Sequence, residues 1–279
     1  MIKLDKVNFG YSRRKQLFSE IGFELPMGSV VGLLGRNGEG KSTLMKLISG
    51  QLLASSGSIE VLGKNPKERP VGLLRELYYL PEEVQMPSIS IREYFDCYAP
   101  FYPTYDQRIA DSLMGEFDIN WGMNLGKISL GQKKKAAIAL ALSLRVPLLL
   151  MDEPTNGLDI PSKSIFRRVV ARYTSPEQMI IISTHQVRDL EQLIDHLLLL
   201  DGNRIIANYS IDHILRHLSF ASTTPQSRFE ALYVEPSIMG ELGVFARRDD
   251  EAEGNFSMEL FFNAMVAERS RMLAALEVK

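Results

Sequence analysis

The chain has little cysteine, little net charge and no long apolar run. Cys97 is its only cysteine, so an intrachain disulfide is impossible and a reducing cytosol fits. The formal net charge of −2 argues against a generally nucleic-acid-binding surface, and we expect no nucleic-acid partner. The strongest apolar runs, residues 147–151 and 197–200, are far too short to span a bilayer, and the charged N-terminus lacks a signal-peptide core. We therefore expect a soluble protein.

The chain does have enough apolar material for a large core. Hydrophobic residues make up 45% of its 279 residues. This length suits one large domain with a smaller appendage, or two modest domains. Composition alone therefore predicts a globular protein without saying what it does.

The most informative stretch is a glycine-rich loop at residues 35–43. Gly35, Gly40, Lys41 and Ser42 fit the pattern G-x-x-x-x-G-K-[ST] of a phosphate-binding loop, and Gly38 adds another position without a side chain. The loop also contains Arg36, Asn37, Glu39 and Thr43. Backbone N–H groups in such a loop point into one concavity, while the lysine reaches the terminal phosphates and the serine offers a hydroxyl to Mg²⁺. This loop predicts a site for a nucleoside triphosphate.

The sequence around the loop supports this interpretation. Residues 29–34 form an apolar run typical of a buried strand, and residues 42–48 have apolar positions at helical spacing. Gly50 stands where a helix C-cap would fall. The order strand, loop, helix places a helix N-terminus against the anion. A chance glycine-rich turn is the alternative.

A pair of carboxylates follows a second apolar strand at residues 148–151. Asp152 and Glu153 stand at the strand's carboxyl end, where open α/β sheets bind ligands. We predict that Asp152 serves Mg²⁺ and that Glu153 polarises the attacking water as a general base. The alternative is that the two carboxylates merely end a strand and meet solvent.

The remaining pattern predicts an α/β fold with a mostly parallel sheet, helices on both faces and an antiparallel β subdomain. Residues 2–9 are predicted as an edge strand, residues 11–15 as a turn and residues 17–25 as a second strand. A helical insertion is predicted at about 88–145; Ser90 and Glu93 match a capping box at its first helix, and residues 133–144 are predicted as a helix rich in strong helix formers. A hairpin is predicted around residues 201–203, a linker at 220–230 and a solvated charged loop at 247–253. Further helices are predicted at 162–173, 187–194 and 257–276. The last could carry an apolar seam of Phe256, Leu260, Phe261, Met265 and Leu273, which we expect to pack onto the chain's own core, with a regulatory or dimerisation role as the alternative.

One further motif leads to a resemblance. Residues 128–132 read Ile-Ser-Leu-Gly-Gln, about 20 residues before Asp152. With the phosphate loop and the carboxylates, this order resembles the ATP-binding cassette family, the ATPase subunits of ABC transporters, whose signature is LSGGQ. The resemblance covers roughly residues 2–220. It implies a P-loop NTPase core in an ABC ATPase domain at 1–220, with a C-terminal appendage of unknown role at 221–279.

The resemblance implies roles for further residues. Tyr11 would stack on adenine, with an ordinary exposed tyrosine as the alternative. His185 would contact the γ-phosphate, with a structural histidine as the alternative. The signature residues Ser129, Gly131 and Gln132 would clasp the ATP of a second subunit, since the family completes each site from two chains. Residues 156–159 would form the D-loop, which crosses the dimer interface.

The sequence departs from the family pattern at two positions. Residues 79–81, Tyr-Leu-Pro, match the Tyr-x-Pro of the family's Q-loop, but Glu82 follows them where the family usually has Gln. Glu82 can still give Mg²⁺ an oxygen, but an ionised carboxylate cannot donate a hydrogen bond. Leu130 replaces the first glycine of the signature. Three lysines follow the signature at residues 133–135, and we expect them to line a solvated face rather than to bind phosphate.

The resemblance implies Mg²⁺-dependent ATP hydrolysis at the interface of a homodimer, or of a pair with a similar cassette. It also implies a separate integral membrane permease subunit as partner, and hence a cytoplasmic location on the inner face of the membrane. Residues 89–102 are the candidate contact surface for that partner, with packing inside the insertion as the alternative. Two other functions stay open: a soluble cassette ATPase acting on ribosomes or DNA, and a nucleotide-binding regulator without turnover.

Overall fold

The computed structural model describes residues 1–12, 15–187, 190–238, 240–247 and 256–277. Its strands are β1 Ile2–Ser12, β2 Lys15–Leu25, β3 Val30–Gly35, β4 Ser56–Val61, β5 Leu77–Leu80, β6 Leu148–Asp152, β7 Met179–Thr184, β8 His196–Asp201, β9 Arg204–Ser210, β10 Leu218–Ser222, β11 Tyr233–Ser237 and β12 Gly240–Ala246. Its α-helices are α1 Lys41–Ile48, α2 Val71–Leu74, α3 Ile91–Tyr98, α4 Gln107–Glu116, α5 Leu130–Ser143, α6 Ile160–Tyr173, α7 Ile211–His217, α8 Met258–Ala267 and α9 Arg269–Leu276. None of these helices is long and apolar enough to cross a membrane.

The central sheet confirms the predicted α/β fold. Its strands lie in the order β5-β6-β7-β3-β8-β9. Neighbours from β5 to β8 run parallel, and β9 returns antiparallel to β8 through the predicted hairpin turn. The carboxyl ends of the parallel strands share one edge of the sheet. The segments that follow β3, β5, β6 and β7 therefore meet there.

Both faces of the sheet are buried, and successive side chains of β3 point into two different hydrophobic clusters. Leu34 lies in a hydrophobic cluster with the insertion helices and the C-terminal helices. Leu33 points the other way, into a cluster with β1, β2 and α1. Because both faces are buried, β3, β6 and β7 have no exposed residue, which explains their continuous apolar sequences.

The N-terminal strands form a separate antiparallel sheet in the order β2-β1-β4. The prediction of an edge strand at residues 2–9 is wrong, because β1 is the central strand and pairs with both neighbours. The alternation of buried Ile2 and Leu4 shows which face is inside, but it does not show how many strands pair. β1 and β2 also extend into the predicted turn at 11–15, of which residues 13–14 lie outside the described part.

The predicted helical insertion is confirmed as α3, α4 and α5. Ser90 and Glu93 make the predicted capping box at α3, with Glu93 N donating to Ser90 Oγ and Ser90 N donating to Glu93 Oε2. Helix α5 begins at Leu130, earlier than predicted, because Ser129 and Gln132 form a second capping box. The signature motif is therefore the N-terminus of a helix.

The helix predicted at 187–194 is not borne out where the structure describes it. Residues 190–193 form turns, and residues 188–189 lie outside the described part. The chain is tied to the sheet directly afterwards, since both oxygens of Asp195 accept from the backbone N–H of Val30, at 3.0 and 3.1 Å. This contact fixes the chain beside β3 immediately before β8 begins at His196.

The C-terminal part is a second antiparallel sheet, β10-β12-β11, with α7, α8 and α9. The prediction of a linker at 220–230 is wrong at its start, because β10 continues to Ser222, and the predicted boundary at residue 220 falls inside that strand. The predicted last helix is broken at Glu268. Most of the predicted charged loop at 247–253 lies outside the described residues.

The seam residues Leu260, Phe261 and Met265 are buried in the cluster that contains the insertion helices, so the tail packs onto the chain's own core.

Candidate nucleotide site

The phosphate loop leaves β3 at Gly35 and enters α1 at Lys41. Gly38 and Gly40 have φ values of 87° and 104°, in the left-handed region that favours glycine. A Cβ on Gly40 would also lie 2.6 Å from the ring of Phe18, so a larger residue would force a shift. The glycines of the motif are therefore required by backbone conformation and by close packing.

The side chain of Lys41 is buried and donates hydrogen bonds to the backbone of this loop. Only 7% of its surface is exposed. Its Nζ donates to the carbonyl oxygen of Gly35 at 2.8 Å and to that of Arg36 at 3.3 Å, and it lies 3.8 Å from Oε1 of Glu153. Burial lowers the pKa of Lys41, while the negative charges of Glu153 and Asp152 act in the opposite direction.

Two other loop residues face away from the nucleotide cleft. The carboxylate of Glu39 accepts from the backbone N–H of Asn203 at 2.8 Å, which ties the loop to the turn between β8 and β9. Gly35 and Arg36 line an adjoining cleft of about 640 Å³, whose other wall includes Phe262 of α8. Gly35, Arg36 and Glu39 thus lie beside the nucleotide cleft and are not among the residues that line it.

Asp152 is held at the end of β6 by two hydroxyl groups. Tyr79 donates to its Oδ2 at 3.0 Å, and Ser183 donates to its Oδ1. Burial raises the pKa of the Tyr79 phenol, and the adjacent charge of Asp152 raises it further, so Tyr79 stays a hydrogen-bond donor. The aspartate is 2% exposed, and its orientation is fixed from both sides.

Glu153 has an unusual backbone and a free side-chain oxygen. Its φ is 44°, which is uncommon for a residue with a side chain, and its N–H is fixed by contacts to the carbonyl and the hydroxyl of Ser183. Its Oε1 lies 2.9 Å from Nδ1 of His185. Its buried Oε2 has no hydrogen-bond partner among the described residues. An unpartnered buried carboxylate oxygen suits a water that enters with substrate.

Most of the predicted site residues line one cleft of about 630 Å³. These are Tyr11, Asn37, Gly38, Gly40, Lys41, Ser42, Thr43, Glu82, Glu153 and His185. Tyr11 is 65% exposed at this cleft, and its hydroxyl is within 2.8 Å of Thr43 Oγ1. An exposed ring that is anchored at its hydroxyl leaves a face on which a base can stack.

The Q-loop position is linked to the neighbouring loops by hydrogen bonds. Asn156 donates from Nδ2 to Glu82 Oε1 at 2.8 Å, and Gln186 donates to Asn156 Oδ1 at 3.3 Å. Lys134 donates to the backbone carbonyl of Glu82 at 2.6 Å. The prediction that residues 133–135 line a solvated face is wrong for Lys134, which is 4% exposed, because the second turn of α5 packs under the Q-loop.

The predicted Mg²⁺ ligands fit the metal by their chemistry. Ser42, Asp152 and Glu82 offer only oxygen atoms, which Mg²⁺ prefers. The part of the chain that the structure describes holds no group of three or more His, Cys, Asp or Glu residues placed for a metal. That is compatible with Mg²⁺, which commonly uses one or two protein side chains together with phosphate oxygens.

The signature residues lie outside the nucleotide cleft. Ser129, Gly131 and Gln132 line a separate cleft of about 440 Å³ with the D-loop residues Gly157 and Asp159. Gln132 donates its backbone N–H to Ser129 Oγ, and its side chain accepts from Ser129 N at 3.1 Å. One chain therefore presents a phosphate loop and a signature at two different clefts.

The family model described as "ABC transporter" matches residues 18–156. The ATP-binding protein YtrB of an ABC transporter, from Bacillus subtilis, is 28% identical over 203 residues, which cover 71% of this chain and 68% of YtrB. The chain belongs to the ATP-binding cassette family of ABC transporter ATPases.

Two further similarities agree with this assignment. The cassette is 28% identical to the bacitracin transport ATP-binding protein BcrA of Bacillus licheniformis, over 77% of this chain and 71% of BcrA. A solved structure described as the ATP binding subunit of an ABC transporter superposes with a TM-score of 0.69 at 26% identity, covering 77% of this chain and 92% of that one. The cassette is thus an ATP-binding ATPase of the transporter type.

Sequence reasoning missed several residues that the fold brings to the cleft of this cassette. Lys15 and Leu17 of β2 line it, and Leu17 lies against the loop at Gly40. Tyr79 was noticed only as part of the Q-loop motif, although it holds Asp152. The Tyr-x-Pro motif at the end of β5 is a signal for Tyr79. Lys15 and Leu17 carry no local signal, because only the pairing of β2 with β1 brings them there.

Proposed function

We propose that this cassette hydrolyses ATP in a dimer of two cassettes and drives a separate membrane-spanning subunit. The observation that carries the proposal is the division of the site: the phosphate loop, Glu153 and His185 line one cleft, and the signature residues line another. A signature that cannot reach its own chain's nucleotide can complete the nucleotide site of a second copy.

The chain's own residues have distinct roles in this proposal. Lys41 and the N–H groups of the loop neutralise the phosphates. Glu153 accepts the proton of the attacking water, and His185 orients Glu153 and the γ-phosphate. Ser42, Asp152 and Glu82 would hold Mg²⁺, which when bound neutralises charge on the β- and γ-phosphates. Ser129 and the N-terminus of α5 bind the γ-phosphate held by the partner, as helix N-termini bind anions.

Coupling to a membrane subunit is supported by the relatives and by the surface of the insertion. The similar proteins YtrB and BcrA are described as ATP-binding proteins of a transporter and of bacitracin transport. Within the predicted contact stretch at 89–102, Phe101 is 68% exposed. We propose this stretch as the contact with the membrane subunit. The cassette would then act on the cytoplasmic face of the membrane.

Complementation between two inactive variants tests the shared site. Lys41→Ala should lose nucleotide binding, and Ser129→Arg should block the signature; each should be inactive alone. A mixture of the two variants can form one intact composite site, from the loop of one chain and the signature of the other. We expect the mixture to regain ATPase activity. A mixture that stays inactive, although both proteins are folded and wild type is active, contradicts the shared site.

A second experiment tests the general base and the dimer together. Glu153→Gln should bind ATP, lose turnover by about 10²- to 10⁴-fold and accumulate as a dimer in size-exclusion chromatography. Full activity in this variant contradicts the role of Glu153. Co-purification of the tagged wild type with a membrane protein is expected, whereas co-purification with ribosomes would favour the soluble alternative.

A further inference from the structure

Lys134 is a buried charge that the proposed reaction does not use. It lies in α5, the helix that begins at the signature, and 4% of its surface is exposed. Within the described residues, the one hydrogen bond of its ammonium goes to the backbone carbonyl of Glu82, at 2.6 Å. Burying an ammonium that has no carboxylate in contact is costly. This cost argues that the contact with the Q-loop has a function.

The charges around Lys134 belong to the nucleotide site. Burial lowers the pKa of Lys134, and the carboxylates of Glu82, Asp152 and Glu153 oppose that shift. The ammonium thus lies in the field of the carboxylates that serve the predicted metal and the attacking water. Its neighbours Lys133 and Lys135 are only partly buried.

Glu82 is held at both ends. Its carbonyl accepts from Lys134, and its carboxylate accepts from Asn156 in the D-loop at 2.8 Å. The side chain itself is exposed at the cleft, so without these two bonds it would have many accessible rotamers. The two contacts reduce that freedom in the residue that departs from the usual glutamine.

We propose that Lys134 is a positioning residue that acts through Glu82: it fixes the Q-loop from below, so that the glutamate is presented to the nucleotide site in one orientation. This inference rests on the proposed function, because the position of Glu82 matters to catalysis only if the cleft hydrolyses ATP. It assigns the buried lysine to the nucleotide site of its own chain, although its helix begins at the signature.

The first test needs neither nucleotide nor metal. Hydrogen–deuterium exchange is measured on the full chain in the presence of EDTA, for wild type, Lys134→Met and the matched control Lys133→Met. The methionine has a similar length and no charge, so it removes the hydrogen bond to Glu82 and keeps most of the side-chain volume. We expect faster exchange at residues 80–87 in Lys134→Met alone. Unchanged exchange there overturns the proposal; if the variant does not fold, Lys134→Leu replaces it.

The second test is a double-mutant cycle on ATP turnover. Lys134→Met should lower kcat by about 10- to 100-fold, as loss of a residue that orients a metal ligand typically does, with little change in the KM for ATP. In the background Glu82→Ala, the same substitution should have no further effect, since the side chain that it positions is gone. Lys133→Met should match wild type.

The outcomes distinguish a failure of the inference about Lys134 from a failure of the proposed function. A Lys134→Met effect that multiplies with that of Glu82→Ala shows a general structural role and overturns the inference. Wild-type kcat in Lys134→Met overturns it as well. A wild-type protein without ATPase activity contradicts the proposed function, and the exchange experiment then still decides whether Lys134 fixes the Q-loop.

Discussion

Nδ1 of His185 lies 2.9 Å from Oε1 of Glu153, while the other carboxylate oxygen of Glu153 has no partner among the described residues. The histidine follows β7 and the glutamate follows β6, so neighbouring strands of the parallel sheet bring them together. The contact leaves one glutamate oxygen for a water. It also places a ring nitrogen beside the residue proposed as general base.

His185→Ala is expected to separate binding from turnover. The alanine variant should bind ATP almost as wild type does, because Lys41 and the loop are intact. Its turnover should fall by about 10²- to 10⁴-fold, since the base loses the group that orients it. Fluorescent-nucleotide binding and single-turnover hydrolysis measure the two effects.

His196→Asn is the matched control for this prediction. His196 lies in β8 of the same sheet and has its own hydrogen bond, from Nε2 to Asn208 Oδ1 at 2.7 Å. Its substitution should leave turnover unchanged. If His185→Ala retains full turnover, His185 is a structural histidine.

The sequence was sufficient to predict those parts of the site that follow strand ends. The phosphate loop, Asp152, Glu153 and His185 each follow a buried strand, and parallel strands bring their carboxyl ends to one edge. That these residues lie close together could therefore be predicted from the sequence alone. Helix α5 was also predicted, but from residue 133; its true start at Leu130 depends on the capping box of Ser129 and Gln132, which is a local signal.

Features set by distant pairing could not be predicted in this way. Lys134 stands in a run of three lysines that is typical of a solvated face, and only the packing of α5 under the Q-loop buries it. The central position of β1 depends on β4, which the alternation within β1 cannot indicate. The C-terminal sheet was missed because its first strand begins within a stretch rich in Ser and Thr.

Tyr79→Phe is expected to raise the Mg²⁺ concentration that the ATPase activity requires. The substitution removes the hydroxyl that donates to Asp152 Oδ2 at 3.0 Å and leaves the ring in place. Residues that orient a metal ligand typically contribute about 10- to 100-fold to metal affinity or activity. We therefore expect the Mg²⁺ concentration for half-maximal ATPase activity to rise by about 10-fold or more. A magnesium titration at saturating ATP measures it.

Tyr78→Phe is the control, because Tyr78 precedes Tyr79 in β5 and points to the opposite face of the sheet. Its ring packs edge-on against Tyr98 and Tyr102 in the insertion, away from Asp152. This variant should keep the wild-type magnesium requirement. Equal shifts in both variants would indicate a general effect on the sheet and not a specific effect on the aspartate.

Phe261→Ala tests whether the C-terminal helices share one core with the cassette. Phe261 is fully buried, in the same cluster as the insertion helices, and truncation of a buried phenylalanine typically costs about 3–5 kcal/mol. Trp121, the only tryptophan, packs against Phe95 of α3 and so reports on the insertion rather than on α8.

Because the core is shared, Phe261→Ala should shift the urea midpoint of Trp121 fluorescence together with that of circular dichroism. Phe229→Ala, at a position 88% exposed, should shift neither. An unchanged Trp121 midpoint would mean that the C-terminal part unfolds separately. The predicted division into residues 1–220 and 221–279 would then describe two independent folding units, although β10 crosses that boundary.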